Sequence, residues 1–312
     1  MSPALLLTVF CALVVLASLV GGWLPGLLRL THTRMQLMMS FVAGLMLGVG
    51  VLHLLPHAVA ELQSVDRAVI WLLVGLLLMF FMIRIFHFHQ HGPVAAPESA
   101  VAAGGPEPVE HRHAHEPHHD HAHEDHDHSH HHAAHRLSGL GVTLGLALHT
   151  LIDGVALAAS VAAESQEHAT GFRLFGVGTF LAVALHKPLD ALSITSLMSA
   201  GGWSPRMRQA VNAGFAMMCP LGALFFYFGL SRFADEQHVF LGCALAFSAG
   251  VFLCISLADL LPELSFHAHD RVKLSLALLL GVALAYGIGF LEPAHTHQHG
   301  THPHEHSAVS RQ

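Results

Sequence analysis

Eight stretches of this chain are apolar and long enough to cross a lipid bilayer, and they constrain its fold more than any other feature. A helix needs about 20 mainly apolar residues to span hydrocarbon roughly 30 Å thick. Only 11% of the 312 residues are Asp, Glu, Lys or Arg, about half the charged fraction of an average soluble domain. We therefore predict an all-α integral membrane protein with eight transmembrane helices at residues 4–28, 35–60, 68–88, 138–163, 172–200, 206–231, 238–263 and 272–292.

The Lys and Arg residues predict the orientation of these helices. Loops on the cytoplasmic side of a membrane carry an excess of both residues. Placing the N-terminus outside puts most of them in the cytoplasm and gives every inner loop at least two. Arg29 follows the first span, and no basic segment precedes it, so this span is expected to stay uncleaved. We predict a multi-pass protein with both termini extracytoplasmic, and the compact form favours a bacterial inner (plasma) membrane.

Two histidine-rich segments divide the chain. Residues 1–88 hold the first three helices and residues 138–292 hold the last five. Between them, residues 89–137 contain His, Pro, Gly, Ala and acids with few residues that a core could use, which predicts a disordered cytoplasmic loop. Residues 293–312 form a histidine-rich extracytoplasmic tail. Imidazoles beside carboxylates bind transition metals without a fold, so the loop is predicted to bind metal.

Charge and cysteine content exclude two other classes of protein. The net charge is −7, and no stripe of basic residues is present, so a nucleic-acid partner is not expected. All four cysteines lie in apolar runs, which excludes a disulfide-stabilised secreted scaffold. The partner that the composition predicts is the lipid bilayer.

The second and seventh spans carry similar sequences. Residues 43–57 are AGLMLGVGVLHLLPH and residues 249–263 are AGVFLCISLADLLPE. Two such spans, five apart, run in opposite directions, as expected for an inverted repeat, and transporters often place a substrate site between inverted halves. The alternative is a resemblance of composition, since apolar helices resemble one another.

Two polar pairs interrupt consecutive spans. His149 and Asp153 lie four residues apart on the fourth span, and His186 and Asp190 repeat this spacing on the fifth. Residues four apart share one face of a helix, and charged residues within a membrane are costly unless they have a partner or a role. Two imidazoles and two carboxylates form a complete ligand set for a divalent transition metal. The alternative is that each His binds its own Asp and only joins the helices.

Further polar residues are predicted to line a path for the metal. Lys187 would repel a second divalent ion beside the first, or bind Asp153 or Asp190 in an empty site. Met46 offers a soft thioether as an extra ligand. The remaining candidates for the transport pathway are His53, His57, Asp259, Glu263 and Cys219. Packing alone is the alternative for Met46 and Cys219.

These motifs together resemble the ZIP (Zrt/Irt-like) family of zinc and iron transporters. That family carries His-Asn-x-x-(Asp/Glu)-Gly on span four, which stands here as His149-Thr-Leu-Ile-Asp153-Gly154. Its span-five motif, His-Glu-x-Pro-x-Glu or a variant, stands here as His186-Lys187-Pro188-Leu-Asp190. HLLPH on span two and ADLLPE on span seven also match the family's patterns, and the resemblance covers all eight spans.

The resemblance implies a 3+2+3 inverted-repeat bundle that takes up a divalent metal towards the cytoplasm. Carried over by position, the metal ligands would be His149, Asp153, His186 and Asp190, with Met46 as a further ligand. Some relatives bind a second metal with the residue after each His and an acid on span six. Those positions are Thr150, Lys187 and Cys219 here, which implies a single metal.

We expect transport of Zn²⁺, with Cd²⁺, Fe²⁺ or Mn²⁺ as alternative substrates and no catalytic cofactor. In an alternating-access cycle the ion would bind from outside and leave towards His53, His57, Glu263 or the histidine-rich loop. His ligands must be neutral to bind a metal, so affinity should fall in acid. A cation-efflux exporter and an intramembrane zinc hydrolase are the rival functions, and a homodimer is left open.

Overall fold

The fold is a bundle of membrane-spanning helices, described by a computed structural model. It describes residues 2–27, 32–86, 129–166, 175–233, 236–266 and 271–290, except the side chains of 24–27, 32, 86, 129–142, 166 and 259–266. The predicted tail at 293–312 and residues 89–128 of the predicted loop lie outside these ranges. Within them, no residue belongs to a β-strand.

The residues that the structure describes form ten α-helices and one π-helical turn. Eight helical stretches are long and apolar enough to cross a membrane, which confirms the predicted number of spans. The helix of span four begins before the predicted residue 138. The elements are α1 (Pro3–Leu27), α2 (His32–Val49), the π segment (Gly50–Leu54), α3 (Leu55–Leu62), α4 (Val65–Phe86), α5 (Ser129–Gln166), α6 (Val177–Ala200), α7 (Pro205–Ala216), α8 (Met218–Arg232), α9 (Gln237–Phe266) and α10 (Arg271–Ile288).

The second span is not one regular helix. Between α2 and α3 the chain widens into the π segment, where the Leu55 N–H donates to the carbonyl of Gly50, five residues back. Pro56 lies in the first turn of α3 and has no N–H to donate, so the carbonyl of Leu52 lacks its regular α-helical partner. His53 lies inside the segment, and its Nε2 donates to the carbonyl oxygen of Ala285 on α10 at 2.7 Å. Such π turns are rare and occur frequently at functional sites.

The sixth span is also interrupted. It was predicted as one helix at 206–231, but α7 ends at Ala216 and α8 begins at Met218. Pro220 accounts for the break, because without an N–H it leaves the carbonyl of Ala216 unpaired within the helix. The two parts still follow one another across the membrane as one candidate span.

The helices pack in four principal pairs: α2 with α10, α4 with α9, α5 with α8, and α1 with α6. Glycines allow the backbones of such pairs to approach closely. On α10, a Cβ added to Gly281 would overlap the carbonyl of Phe41 on α2, and one added to Gly44 would overlap the carbonyl of Leu278. No side chain can therefore be inserted at this crossing without separating the helices.

We expect Gly281→Ala to destabilise the protein, because its methyl group would push α10 away from α2. Overpacking of this kind costs about 1–3 kcal/mol. Gly287→Ala on the same helix is the matched control, since a Cβ there meets nothing within 4 Å and alanine favours a helix by about 0.5–1 kcal/mol. Thermal unfolding of the purified variants in detergent measures both. Equal melting temperatures for the two variants would contradict this account of the crossing.

Candidate metal centre

The two predicted polar pairs converge at one buried place between α5 and α6. The Nε2 of His149 lies 3.3 Å from Oδ2 of Asp153 and 3.6 Å from Oδ2 of Asp190. The Nε2 of His186 lies 3.3 Å and 3.8 Å from the same two oxygens. The sequence thus placed four donor side chains on two helices, and the fold brings their donor atoms together.

These separations suit a tetrahedral metal ion. Zn²⁺ binds imidazole nitrogen and carboxylate oxygen at about 2.0–2.2 Å, so neighbouring donors of a tetrahedron stand about 3.3–3.6 Å apart. His149, His186 and Asp190 form the group whose donor atoms all lie within 4.8 Å of one another. The Oδ2 of Asp153 also approaches both imidazoles, at 3.3 Å from each Nε2.

The hydrogen bonding of His186 prepares it to bind a cation. Its Nδ1 donates to the carbonyl oxygen of Ala182 at 2.6 Å, because a carbonyl can only accept. A neutral ring then directs the lone pair of Nε2 towards the Asp153 carboxylate, and two acceptors in contact repel unless a cation or a proton lies between them. A second hydrogen bond of this kind fixes the ring in many metal-binding histidines.

Lys187 places a cation beside both candidate carboxylate ligands. Its Nζ lies 2.5 Å from Oδ2 of Asp153 and 3.0 Å from Oδ2 of Asp190, and its side chain is wholly buried. The ammonium also donates to the Thr150 hydroxyl at 3.1 Å and lies 5.5 Å from the centre of the Phe215 ring. The expected ion pair with Asp153 or Asp190 is therefore formed with both carboxylates at once.

Gly154 brings α8 against the metal centre. A Cβ on Gly154 would overlap the carbonyl oxygen of Cys219, and one on Gly222 would overlap that of Leu151. The Cys219 backbone is thereby held one residue from Asp153, and its side chain is buried. Its role in the pathway stays a prediction.

Met46 lies in the apolar core. It is wholly buried on α2, which packs mainly on α10 and also contacts α6. Core packing accounts for this burial without a ligand role, so its place among the ligands stays a prediction.

The second and seventh spans pack antiparallel. Gly50 lies against the backbone of Ala249 near the middle of α9. Towards the end of α3, Oε2 of Glu61 accepts from Nδ1 of His238 at the start of α9, at 2.6 Å. Residues that follow Gly50 therefore lie beside residues that precede Ala249.

The two pairs of pathway candidates lie at different ends of α9. His53 and His57 are buried beside its first half, whereas positions 259 and 263 lie in its last turns, whose side chains are not among the described ones. The two pairs therefore lie towards opposite sides of the membrane, and their roles in the pathway stay predictions.

A buried carboxylate that sequence reasoning missed ties α5 to α6. Glu164 is wholly buried and accepts from the backbone N–H of Gly176 at 2.8 Å, just before α6 begins. It also accepts from the Ser160 hydroxyl at 3.2 Å, which in turn accepts from Thr179 on α6 at 3.0 Å. We call Ser160, Glu164, Gly176 and Thr179 the polar clamp. The signal was present, since Asp153, Ser160 and Glu164 share one face of α5.

The fold and this centre define a polytopic membrane protein with a buried His/Asp site between two helices. The family model described as ZIP Zinc transporter matches residues 4–289, so the chain belongs to the ZIP zinc transporter family, as the motifs indicated. It is 31% identical over 137 residues to zinc transporter ZIP9-B of Xenopus laevis. Over the same length it is 30% identical to ZIP9 of Xenopus tropicalis and to ZIP9 of Micropogonias undulatus. The alignments cover 43% of this chain and 42–43% of those relatives.

We expect Glu164→Ala to weaken both the fold and the metal centre. It removes the acceptor of a buried N–H, which costs about 1–3 kcal/mol, and it loosens the register of the two ligand helices. Zn²⁺ affinity should fall about tenfold, because misplaced donors no longer meet at one ion. Glu236→Ala, at an exposed position, is the control. Thermal unfolding and metal titration measure the two effects, and an unchanged affinity would show that another contact sets the register.

Proposed function

We propose that this protein carries a divalent transition-metal cation, Zn²⁺ first, across a membrane through a single His/Asp site. The observation that carries the proposal is the convergence of two imidazoles and two carboxylates, 3.3–3.8 Å apart, inside a membrane-spanning bundle. Membership in the ZIP family supports it. The ion is cargo rather than a cofactor, and Cd²⁺, Fe²⁺ and Mn²⁺ remain further candidate substrates. All four donors come from one chain, so a homodimer is not required to complete the site.

The chemistry of the centre disfavours a hydrolase. A catalytic zinc needs an open coordination position for water, whereas four candidate protein donors face one another here, as many as a tetrahedral ion takes. The buried Lys187 fills the remaining space beside the carboxylates. Transport therefore fits the donor set better than hydrolysis, and the family supports the same choice.

The proposed path leads from the centre towards the α6–α7 connection. Asp190 is the most accessible donor, with 20% of its side chain exposed, whereas the two histidines are 5–6% exposed. Between α1 and α7, Ser18 and Asn212 are buried, and Ser18 Oγ and Asn212 Oδ1 have no hydrogen-bond partner among the described residues. Unpaired buried polar atoms commonly mark sites for water or an ion. We infer that a hydrated ion passes between α1, α6 and α7.

This path would open on the side that carries the histidine-rich segment. Helices α5 and α6 are consecutive spans, so the start of α5 and the end of α6 face the same side. Arg206 and Arg208 follow α6 there, and the positive-inside rule makes that side cytoplasmic. We therefore propose uptake into the cytoplasm with both termini outside, and the histidine-rich segment as a receiver of the ion. The relatives named above are vertebrate proteins, and they lend no support to a bacterial inner membrane.

We also propose that the bundle is a 3+2+3 inverted repeat. Exchanging spans one to three with six to eight, and four with five, converts the α2–α10 pair into α9–α4 and the α1–α6 pair into α8–α5. The close approaches agree, because a Cβ on Gly250 would overlap the carbonyl of Leu72, and one on Gly75 that of Phe247. Gly250 and Phe247 follow Gly44 and Phe41 by the same number of residues by which Leu72 and Gly75 precede Leu278 and Gly281. This agreement supports the repeat.

The proposal predicts that His149→Ala/His186→Ala abolishes metal uptake. Without both imidazoles two of the four donors are lost, so neither Zn²⁺ nor Cd²⁺ should bind, and uptake into proteoliposomes should fall to the level of empty liposomes. His238→Ala is the matched control, because this histidine is 70% exposed and lies away from the centre. Equal uptake by the double variant and the wild type, with both folded, would place the site elsewhere. Reversing the metal gradient distinguishes uptake from export.

The path predicts that Asn212→Leu slows uptake without weakening binding. Leucine removes the polar atoms beside Ser18 and fills the gap with an apolar side chain, so a hydrated ion should pass at least tenfold more slowly. Gln209→Leu, at an exposed position on the same helix, is the control. Initial rates of Zn²⁺ uptake are measured alongside the dissociation constant. Full uptake by Asn212→Leu would exclude this route.

A further inference from the structure

The Lys187 ammonium and a bound metal ion need the same oxygen atoms. Oδ2 of Asp153 and Oδ2 of Asp190 are the atoms that face both imidazoles, and the same two atoms accept from the Lys187 ammonium. A divalent ion bound by these oxygens would repel the ammonium and weaken its contacts with them. The metal and the ammonium are therefore competitors for one pair of carboxylates.

The remaining contacts of Lys187 lie outside the ligand set. The Thr150 hydroxyl donates to the carbonyl oxygen of Leu146 at 2.8 Å, so its oxygen keeps a lone pair for the ammonium. The Phe215 ring offers its negative face on another helix, and such a face attracts a cation. An ammonium displaced from the carboxylates keeps both of these partners, so it need not leave the protein interior.

We propose that Lys187 is a tethered counter-ion that fills the empty metal centre and yields its carboxylates to the arriving metal ion. This inference rests on the proposed transport function. With the ammonium in place the empty centre keeps one uncompensated negative charge rather than two, which matters because uncompensated charge inside a membrane is costly. The same ammonium repels the bound metal ion and so keeps binding weak enough for release.

The counter-ion has two consequences for a transport cycle. While the Lys187 ammonium neutralises the carboxylates, a site without metal can turn from one side of the membrane to the other. A loaded site that still contains an ammonium releases its metal sooner. Lys187 is thus a positioning residue: its charge lowers the affinity for the metal ion and raises the turnover rate.

Replacing the lysine with an uncharged side chain of similar length tests this proposal. For Lys187→Met we expect a dissociation constant for Zn²⁺ and Cd²⁺ at least tenfold lower than that of the wild type. In proteoliposomes the KM should fall at least tenfold and the maximal rate should fall with it, because release and return both slow down. Lys187→Arg keeps the charge and should stay close to the wild type in both constants. Lys273→Met, at an exposed position on α10, is the matched control.

A merely structural lysine gives the opposite result. In that case Lys187→Met would disturb the packing of the centre, and metal binding would be weaker than or equal to that of the wild type, which overturns the proposal. If Lys187→Met folds only with metal present, Thr150→Val provides a second test. It removes a partner of the displaced ammonium while keeping the side-chain shape, so metal affinity should fall severalfold. Unchanged affinity in Thr150→Val would also overturn the proposal.

The two proposals fail in different ways. If the wild type neither binds nor transports Zn²⁺ or Cd²⁺, the proposed function fails, whatever Lys187 does. If the wild type transports the metal and His149→Ala/His186→Ala does not, but Lys187→Met binds no more tightly, the function stands and only the counter-ion is wrong.

Discussion

The structure depends on the ion pairs that neutralise two carboxylates inside an apolar bundle. Asp153 and Asp190 are held by one ammonium, and neither could be buried alone without a large desolvation cost. Every nearby feature keeps this arrangement in register. The polar clamp fixes α6 relative to α5, and Gly154 holds α8 close to the same turn of α5. Hydrogen bonds and close contacts of the backbone therefore hold the candidate centre in place.

Backbone irregularities lie on the elements around this centre. Pro188 interrupts the hydrogen bonds of α6 between the two candidate ligands of that helix, His186 and Asp190. Pro220 separates α7 from α8, and Pro56 follows the π segment. A membrane tolerates freed backbone groups only where protein or water can satisfy them. Such groups add polar atoms to the bundle interior without adding charge, which suits a passage for a cation.

Sequence reasoning succeeded where one physical rule dominated. Apolar length alone predicted eight spans, and the i, i+4 spacing alone placed His149 with Asp153 and His186 with Asp190. It failed where the outcome depended on contacts between distant segments. Glu164 looked like a loop residue at the end of a span, because only the fold shows that its partner is the first turn of α6.

The glycine crossings have a mechanical consequence. Where a backbone carbonyl rests directly on a glycine, no flexible side chain lies between the two helices to absorb a relative displacement. Contacts of this kind join α2 to α10, α4 to α9, α5 to α8, and α1 to α6 at Gly21, which lies against the backbone of Pro188. The two helices of each pair are expected to move together as one rigid unit. A large rearrangement of the protein is therefore expected to occur by sliding of these pairs past one another.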